Sequence, residues 1–309
     1  MALLTILRYI LVSSRPHQWL KNLALFAPVF LWGNFFDPSV FLKVLAGVAL
    51  FSLLSSAMYL FNDVLDREKD ALHPLKRNRP IAHGDLSPSL ALAVSAGLLA
   101  LVLPLSFRLS PYFFLLSFSY AFLQIIYSLF LRNVIIIDAM TIALGFIFRV
   151  FAGALVVPVS ISSWLVLSTI GLSLLLAFGK RRCERTLLAA QGKEFLTRKS
   201  LWGYPDTLLD SAISTFAAFT ILAYSIFAFQ TSPTAGVLPG LLPSTLAQPK
   251  WMMLTIPLVI YGVARYLYVI YEKKEGETPA KVLLSDWPLL LTVFFWVLSV
   301  GAIIYRLGE

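Results

Sequence analysis

Apolar residues run along this chain in long blocks, broken by short stretches where nearly all the charge collects. A helix that crosses a bilayer needs about 20 consecutive apolar residues, and nine blocks qualify: roughly 20–36, 41–61, 90–107, 111–131, 134–157, 162–179, 211–229, 252–270 and 287–305. The first is the shortest, and the fifth contains Arg149. Pro104 and Pro257 fall inside blocks and predict kinks. A large soluble helical protein would carry a polar face on each helix, and these blocks have few polar positions. The pattern therefore predicts an all-α, polytopic integral membrane protein, with nine transmembrane helices forming one membrane domain over 1–309. Residues 1–14 are also apolar, but Arg8 divides them and no small-residue cleavage site follows, so they read as an interfacial helix.

Composition agrees with this picture: 59% of the 309 residues are hydrophobic and 13% charged, where a soluble domain carries about 25% charged residues. The placement of the cations adds orientation. With nine spans, nineteen Lys and Arg residues fall on one side and four on the other, Arg149 and Arg265 lying within spans. Basic loops stay cytoplasmic, which predicts an inner-membrane protein with a cytoplasmic N-terminus. The longest polar segments, about 62–89 and 180–210, then form a cytoplasmic polar cap. Both follow an even-numbered span, an arrangement of two helical halves sharing one site. Thr231–Lys250, rich in Pro, Gly and Ser, reads as a surface loop. The net charge of +9 reflects this topology and a basic face beside anionic lipid, and no nucleic acid is expected as partner. The one cysteine, Cys183, excludes an intramolecular disulfide.

The chemistry concentrates in Asn62-Asp63-Val64-Leu65-Asp66-Arg67-Glu68-Lys69-Asp70, at the end of the second span. On a continuous helix Asp63, Asp66 and Asp70 stand at i, i+3 and i+7, on one face, with Asn62 able to join the same edge. Converging carboxylates repel one another and call for a cation. Hard oxygen ligands suit Mg²⁺, which commonly bridges one or two carboxylates to substrate phosphates. The bland reading, a solvated helix end, has these acids pair with Arg67 and Lys69. Lys76, Arg77, Asn78 and Arg79 follow, placed to neutralise phosphate oxygens or to anchor the loop by the positive-inside rule. Arg15-Pro16-His17-Gln18-Trp19-Leu20-Lys21-Asn22 opens the first span and suits either a headgroup site or an anchor. Arg149 lies within a span, three turns from Asp138 on the same face. An intramembrane charge is functional by default, and an Arg149–Asp138 pair is the structural alternative.

The NDxxDxxxD pattern resembles the first aspartate-rich motif of the UbiA superfamily of intramembrane prenyltransferases, and the helix layout is similar to theirs. Members typically carry a second DxxxD after the sixth span. Here that place holds Lys180-Arg181-Arg182-Cys183-Glu184-Arg185, and a DxxxD occurs only later, at Asp206 and Asp210, whose role the sequence leaves open. The Arg15–Asn22 segment, the Tyr127…Arg132…Asp138…Arg149 stretch and the Lys-Arg-Arg-x-Glu run together look like the decaprenyl-phosphate phosphoribosyltransferase branch.

That resemblance implies transfer of 5-phosphoribosyl from 5-phosphoribosyl 1-diphosphate to a polyprenyl phosphate. It implies catalytic and Mg²⁺-holding roles for Asp63, Asp66, Asp70 and Asn62. Substrate-binding roles fall to Arg15, Lys21, Asn22, Arg77, Arg79, Tyr127, Arg132, Asp138, Arg149, Lys180, Arg181, Arg182 and Glu184. Lys180, Arg181 and Arg182 are expected to hold the 5-phosphate, and Arg15 or Lys21 the acceptor phosphate. Prenyl transfer from a diphosphate to an aromatic acceptor is the alternative within the superfamily. A transporter or lipid-binding scaffold is the alternative outside it, although such folds place charged or broken helices at the midplane. Oligomeric state, a homo-oligomer included, stays open.

Overall fold

The computed structural model describes residues 2–72, 76–190, 203–232, 250–273 and 279–306. Parts of the predicted polar cap and surface loop, and with them Lys193, Arg198, Lys199 and Lys274, lie outside the described residues. The described chain is nearly all helical, and eight of its helices are long and apolar enough to cross a membrane. In chain order the α-helices are α1 (Ala2–Ser13), α2 (Ala27–Trp32), α3 (Pro38–Leu65), α4 (Arg67–Leu72), α5 (Pro80–His83), α6 (Pro88–Leu109) and α7 (Pro111–Leu129). They continue with α8 (Ile137–Val156), α9 (Ser163–Ala190), α10 (Asp206–Thr231), α11 (Ile256–Tyr268), α12 (Pro279–Ser285) and α13 (Trp287–Arg306).

Three spans start with the same local device, a capping side chain followed by proline. Asp37 accepts from the Ser39 and Val40 N–H groups at 2.7 and 3.3 Å, Ser87 from Leu90 at 3.3 Å, and Ser110 from Phe113 at 3.4 Å. Each following proline occupies a first-turn position whose N–H has no intrahelical acceptor, so its missing donor costs nothing there.

The first predicted span is different. Residues 20–36 do not form one α-helix: a 3-10 helix over Pro16–Phe26 runs into the short α2, which stops at Gly33 with φ +91°. Pro28 can donate no backbone bond at this junction. The tertiary reason is a close approach. A Cβ at Gly153 of α8 would sit 1.8 Å from the Leu25 carbonyl oxygen, so only glycine admits this segment against α8. Pro104 does lie inside α6, whereas Pro257 falls in the first turn of α11, behind a 3-10 turn over Trp251–Thr255.

Two apolar cores build the bundle. Leu25, Val29, Val44, Phe51, Leu54 and Phe113 pack with Ala152 and Val156, while Leu175, Phe178, Leu209, Ile213 and Tyr266 pack with Ala139 and Ala143. Helix α8 contributes to both and so forms the wall between the two halves. A face of α1 carrying Ile6, Tyr9 and Ile10 packs on Leu60, Ile81 and Leu86, whereas its Leu4, Leu7 and Leu11 are exposed.

Candidate active site

The predicted carboxylates lie where α3 gives way to α4. The continuous helix expected through 62–70 is broken: α3 ends at Leu65, and Asp66 caps it at φ −94°, ψ 1° before α4 begins at Arg67. The Asp70 N–H still donates to the Asp66 carbonyl at 2.8 Å, so the turn advances without losing its hydrogen bond. All three acids are buried, at 2, 5 and 6% exposure for Asp63, Asp66 and Asp70. They do not pair with Arg67 and Lys69, as a solvated helix end would.

Arginines from other parts of the chain meet them. Asp63 accepts from Arg15 and, at 3.0 Å, from Arg79. The same Arg79 nitrogen donates to Asp70 at 2.5 Å, and Asp66 accepts from Arg132 and from Asn62 Nδ2 at 3.3 Å. Ser128 holds the other side of the Asn62 amide at 3.1 Å. Asp63 and Asp70 thus share one arginine, and Asp66 turns to another. Arg77 is exposed, on the solvent side of this loop. Arg15 has a left-handed backbone, φ 53°, and its guanidinium carbon lies 5.1 Å from the Tyr59 ring centroid. A non-glycine residue held there is strained, and such residues cluster at functional sites.

This donor set, carboxylates and an amide oxygen, is of the hard kind that Mg²⁺ takes. Among the described residues, no three His, Cys, Asp or Glu side chains gather to hold one ion between them. The set therefore fits an ion that takes one or two protein carboxylates and completes its shell from substrate oxygens, which is the habit of Mg²⁺.

A second cluster lies at the same end of the bundle. Asp138, fully buried, does not pair with Arg149; Arg181 Nε lies 2.7 Å from its Oδ2, and the Tyr204 hydroxyl donates to its Oδ1. Burial first, and then the bond to Asp138, pushes the Tyr204 hydroxyl above the ordinary phenol range, which keeps it a donor. The Ile136 N–H donates to that hydroxyl at 2.7 Å, from a backbone at φ 69°. Arg181, 1% exposed, also donates to Glu184 and, at 3.4 Å, to the Tyr127 hydroxyl.

The Lys180-Arg181-Arg182 run is thus not one phosphate clamp, because consecutive helical residues project about 100° apart. Arg181 is locked inside the bundle. Arg182 turns to the start of α10, bonding Asp210 at 2.9 Å with Asp206 at 3.6 Å, and Arg185 Nε lies 3.2 Å from Asp206. The displaced DxxxD therefore meets the basic run in space, as an exposed latch between α9 and α10. Lys180 stays partly exposed, 3.9 Å from Glu184.

Arg149 lies deeper. It donates to Asn22 at 2.8 Å, to the Gly145 carbonyl at 2.5 Å and to the Tyr120 hydroxyl at 3.2 Å, and Asn22 in turn donates to Ser52 at 2.9 Å. Tyr120, Ser52, Ser128 and Tyr204 escaped the reading of the sequence. The first three are isolated polar positions in apolar runs, and Tyr204 precedes a helix with no periodicity to mark it.

The described helices thus form a membrane bundle with buried acids and arginines at one end. The model of the UbiA prenyltransferase family matches residues 23–298, and the chain belongs to that family. It is an integral membrane enzyme of the UbiA type. The decaprenyl-phosphate phosphoribosyltransferase of Mycolicibacterium smegmatis is 30% identical over 298 residues, covering 95% of this chain and 91% of that protein. The Corynebacterium glutamicum protein of the same name is 31% identical over 297 residues, covering 95% of this chain and 86% of its own. Among solved structures, a UbiA homolog from Archaeoglobus fulgidus bound to DMAPP and Mg²⁺ superposes with a TM-score of 0.69. At 17% identity, over 96% of this chain and 99% of that one, this likeness is one of fold.

Proposed function

We propose that this enzyme transfers 5-phosphoribosyl from 5-phosphoribosyl 1-diphosphate to a decaprenyl-type polyprenyl phosphate, releasing diphosphate, in a Mg²⁺-dependent reaction. The observation that carries the reading is the 30% identity along 95% of the chain to an enzyme named for that transfer. The C1–O bond to diphosphate breaks through an oxocarbenium-like state, and an acceptor phosphate oxygen forms the new bond to C1. That oxygen is already anionic at neutral pH, so positioning matters more than a general base.

Of Asp63, Asp66 and Asp70, with Asn62, one or two carboxylates at a time would hold the Mg²⁺ together with substrate oxygens. When bound, the ion supplies Lewis-acid stabilisation of negative charge on the departing diphosphate. Arg15, Arg79 and Arg132, which pair with these acids, would also offer donors to phosphate oxygens. Charge-assisted bonds of this kind are the strong ones. The lipid tail lies between helices. The site faces the cytoplasm across the inner membrane, with α1 in the interface, because the basic loops gather at that end.

Purified protein incubated with ribose-labelled 5-phosphoribosyl 1-diphosphate and a short polyprenyl phosphate is expected to yield organic-extractable label that depends on both lipid and Mg²⁺. Turnover of a prenyl diphosphate with an aromatic acid, without ribose label in lipid, would replace this reading by aromatic prenylation.

A further inference from the structure

Arg149 is the thirteenth residue of α8, which places it about 18 Å from the helix start and near the middle of a hydrocarbon layer about 30 Å thick. It is 5% exposed. Its hydrogen-bond partners are neutral oxygens, on Asn22, Gly145 and Tyr120, and the rings of Phe51, Tyr120 and Phe146 surround it at 5.3–5.6 Å. Among the described residues no carboxylate reaches it, since Asp138 has turned to Arg181.

Lys21 reaches the same Phe146 ring, its Nζ 5.9 Å from the ring centroid. It has neither a hydrogen-bond nor a carboxylate partner among the described residues. The charges that act on it are all cationic: Lys180, Arg149 and Arg15. Elsewhere at this end of the bundle each buried acid has its arginine. Here Arg149, buried, and Lys21, half-buried, have no carboxylate partner among the described residues, and such a charge inside a membrane marks a place where an anion belongs.

We infer that Lys21 and Arg149, with Asn22 orienting the guanidinium and Lys180 at the rim, form a second anion site for a phosphate monoester, separate from the carboxylates that would hold Mg²⁺ and diphosphate. The inference rests on the proposed reaction for its choice of ligand, because both of that reaction's substrates carry a phosphate monoester. One is the 5-phosphate of the sugar donor, the other the headgroup of the lipid acceptor. The chemistry of the site is the same for either: a dianion met by a guanidinium and an ammonium in an apolar wall. The rings around Arg149 keep water from it without neutralising it, so a dianion gains more from that guanidinium than it would at a surface.

The test uses full-length protein in detergent, in EDTA, so that metal-bridged binding at the carboxylates is removed. Ribose 5-phosphate and farnesyl phosphate serve as probes for the two sources, with affinity measured directly up to millimolar concentration. Wild type is expected to bind at least one of them, and Lys21→Met and Arg149→Met to weaken that probe about tenfold or more, the loss of one charge-assisted contact. Arg149→Lys should keep part of the affinity, and Asp63→Asn should leave it intact. Loss confined to farnesyl phosphate assigns the site to the acceptor; loss confined to ribose 5-phosphate assigns it to the donor. Should Arg149→Met fail to fold, the partly exposed Lys21→Met decides alone. Absence of binding by wild type, or equal affinity in Lys21→Met, overturns the proposal. Probe binding that depends on Lys21 in a protein with no phosphoribosyl transfer would leave the site standing and remove the reaction. Transfer with unaltered probe affinity would do the reverse.

Discussion

Arg79 donates to Asp63 and Asp70 through one nitrogen, so the acids and arginines of this site form a single charge-balanced unit. Asp63→Asn or Asp66→Asn removes an anionic ligand, and each is expected to lower turnover about a hundredfold or more. EDTA should abolish turnover in the wild type, and added Mg²⁺ should restore it; full activity in chelator would remove the metal from the mechanism. The basic run divides differently. Arg181 is buried between Asp138 and Glu184, and removing one partner of a buried ion pair costs about 3–5 kcal/mol. Arg181→Met is therefore expected to lower thermal stability in detergent, with donor affinity preserved in the folded fraction. Lys180→Met should behave in the opposite way, folding normally and binding donor about tenfold more weakly. Equal donor affinity in wild type and Lys180→Met would detach that lysine from the substrate.

The 3-10 segment and α8 meet at Gly153, where added volume would strike the Leu25 backbone and not a flexible side chain. Gly153→Ala must push the segment away, and overpacking of this sort costs about 1–3 kcal/mol or more. Because the same segment carries Lys21 and Asn22, catalytic efficiency is expected to fall along with the thermal midpoint. At the far end of the chain, a π-helical turn over Val269–Lys273 is tied to α13 through Asp286. Asp286 accepts two bonds from Arg265 at 3.0 Å, one from Lys273 at 2.7 Å and one from the Leu289 N–H at 3.1 Å. The Arg265 bonds first, then Lys273 and the Leu289 N–H, outweigh burial and hold this carboxyl well below its ordinary range. A depressed carboxyl pKa contributes stability that is complete above the unfolded value, about 3.9, and is lost progressively as pH falls from there through the lower folded value. The thermal midpoint should therefore drop below pH about 4, and Asp286→Asn should flatten that part of the profile. An identical acid limb in the variant would show that Asp286 contributes nothing to it.

Across the whole molecule, both charge clusters lie at one end of the bundle, and the opposite loops carry few cations. In a Cys183→Ser background, cysteines placed at Arg77 and at Lys43 should react with an impermeant maleimide from opposite sides of sealed vesicles. Arg77 is expected to label from the cytoplasmic face. Labelling of both positions from one side would refute the assigned topology.

The class of this molecule was legible in its sequence because membrane spans are written locally. Each needs only its own run of apolar residues, since a helix satisfies its backbone within itself. The carboxylates at 63, 66 and 70 were legible for the same reason, their spacing being a property of one short stretch. Partnership was not local. The choice of Arg181 over Arg149 for Asp138, the sharing of Arg79 by Asp63 and Asp70, and the meeting of Arg182 with Asp206 and Asp210 join residues 9 to 43 positions apart. Periodicity along one helix says which face a side chain shares, but not which neighbouring helix stands opposite it. The break in the first span also had no local warning strong enough to outweigh its apolar run. It follows from a glycine more than a hundred residues away, whose missing side chain lets a 3-10 backbone lie against α8. The sequence by itself thus determined the membrane bundle and the acidic motif, while the tertiary structure alone decided which cations are neutralised and which, Lys21 and Arg149 beside one Phe146 ring, have no carboxylate partner among the described residues.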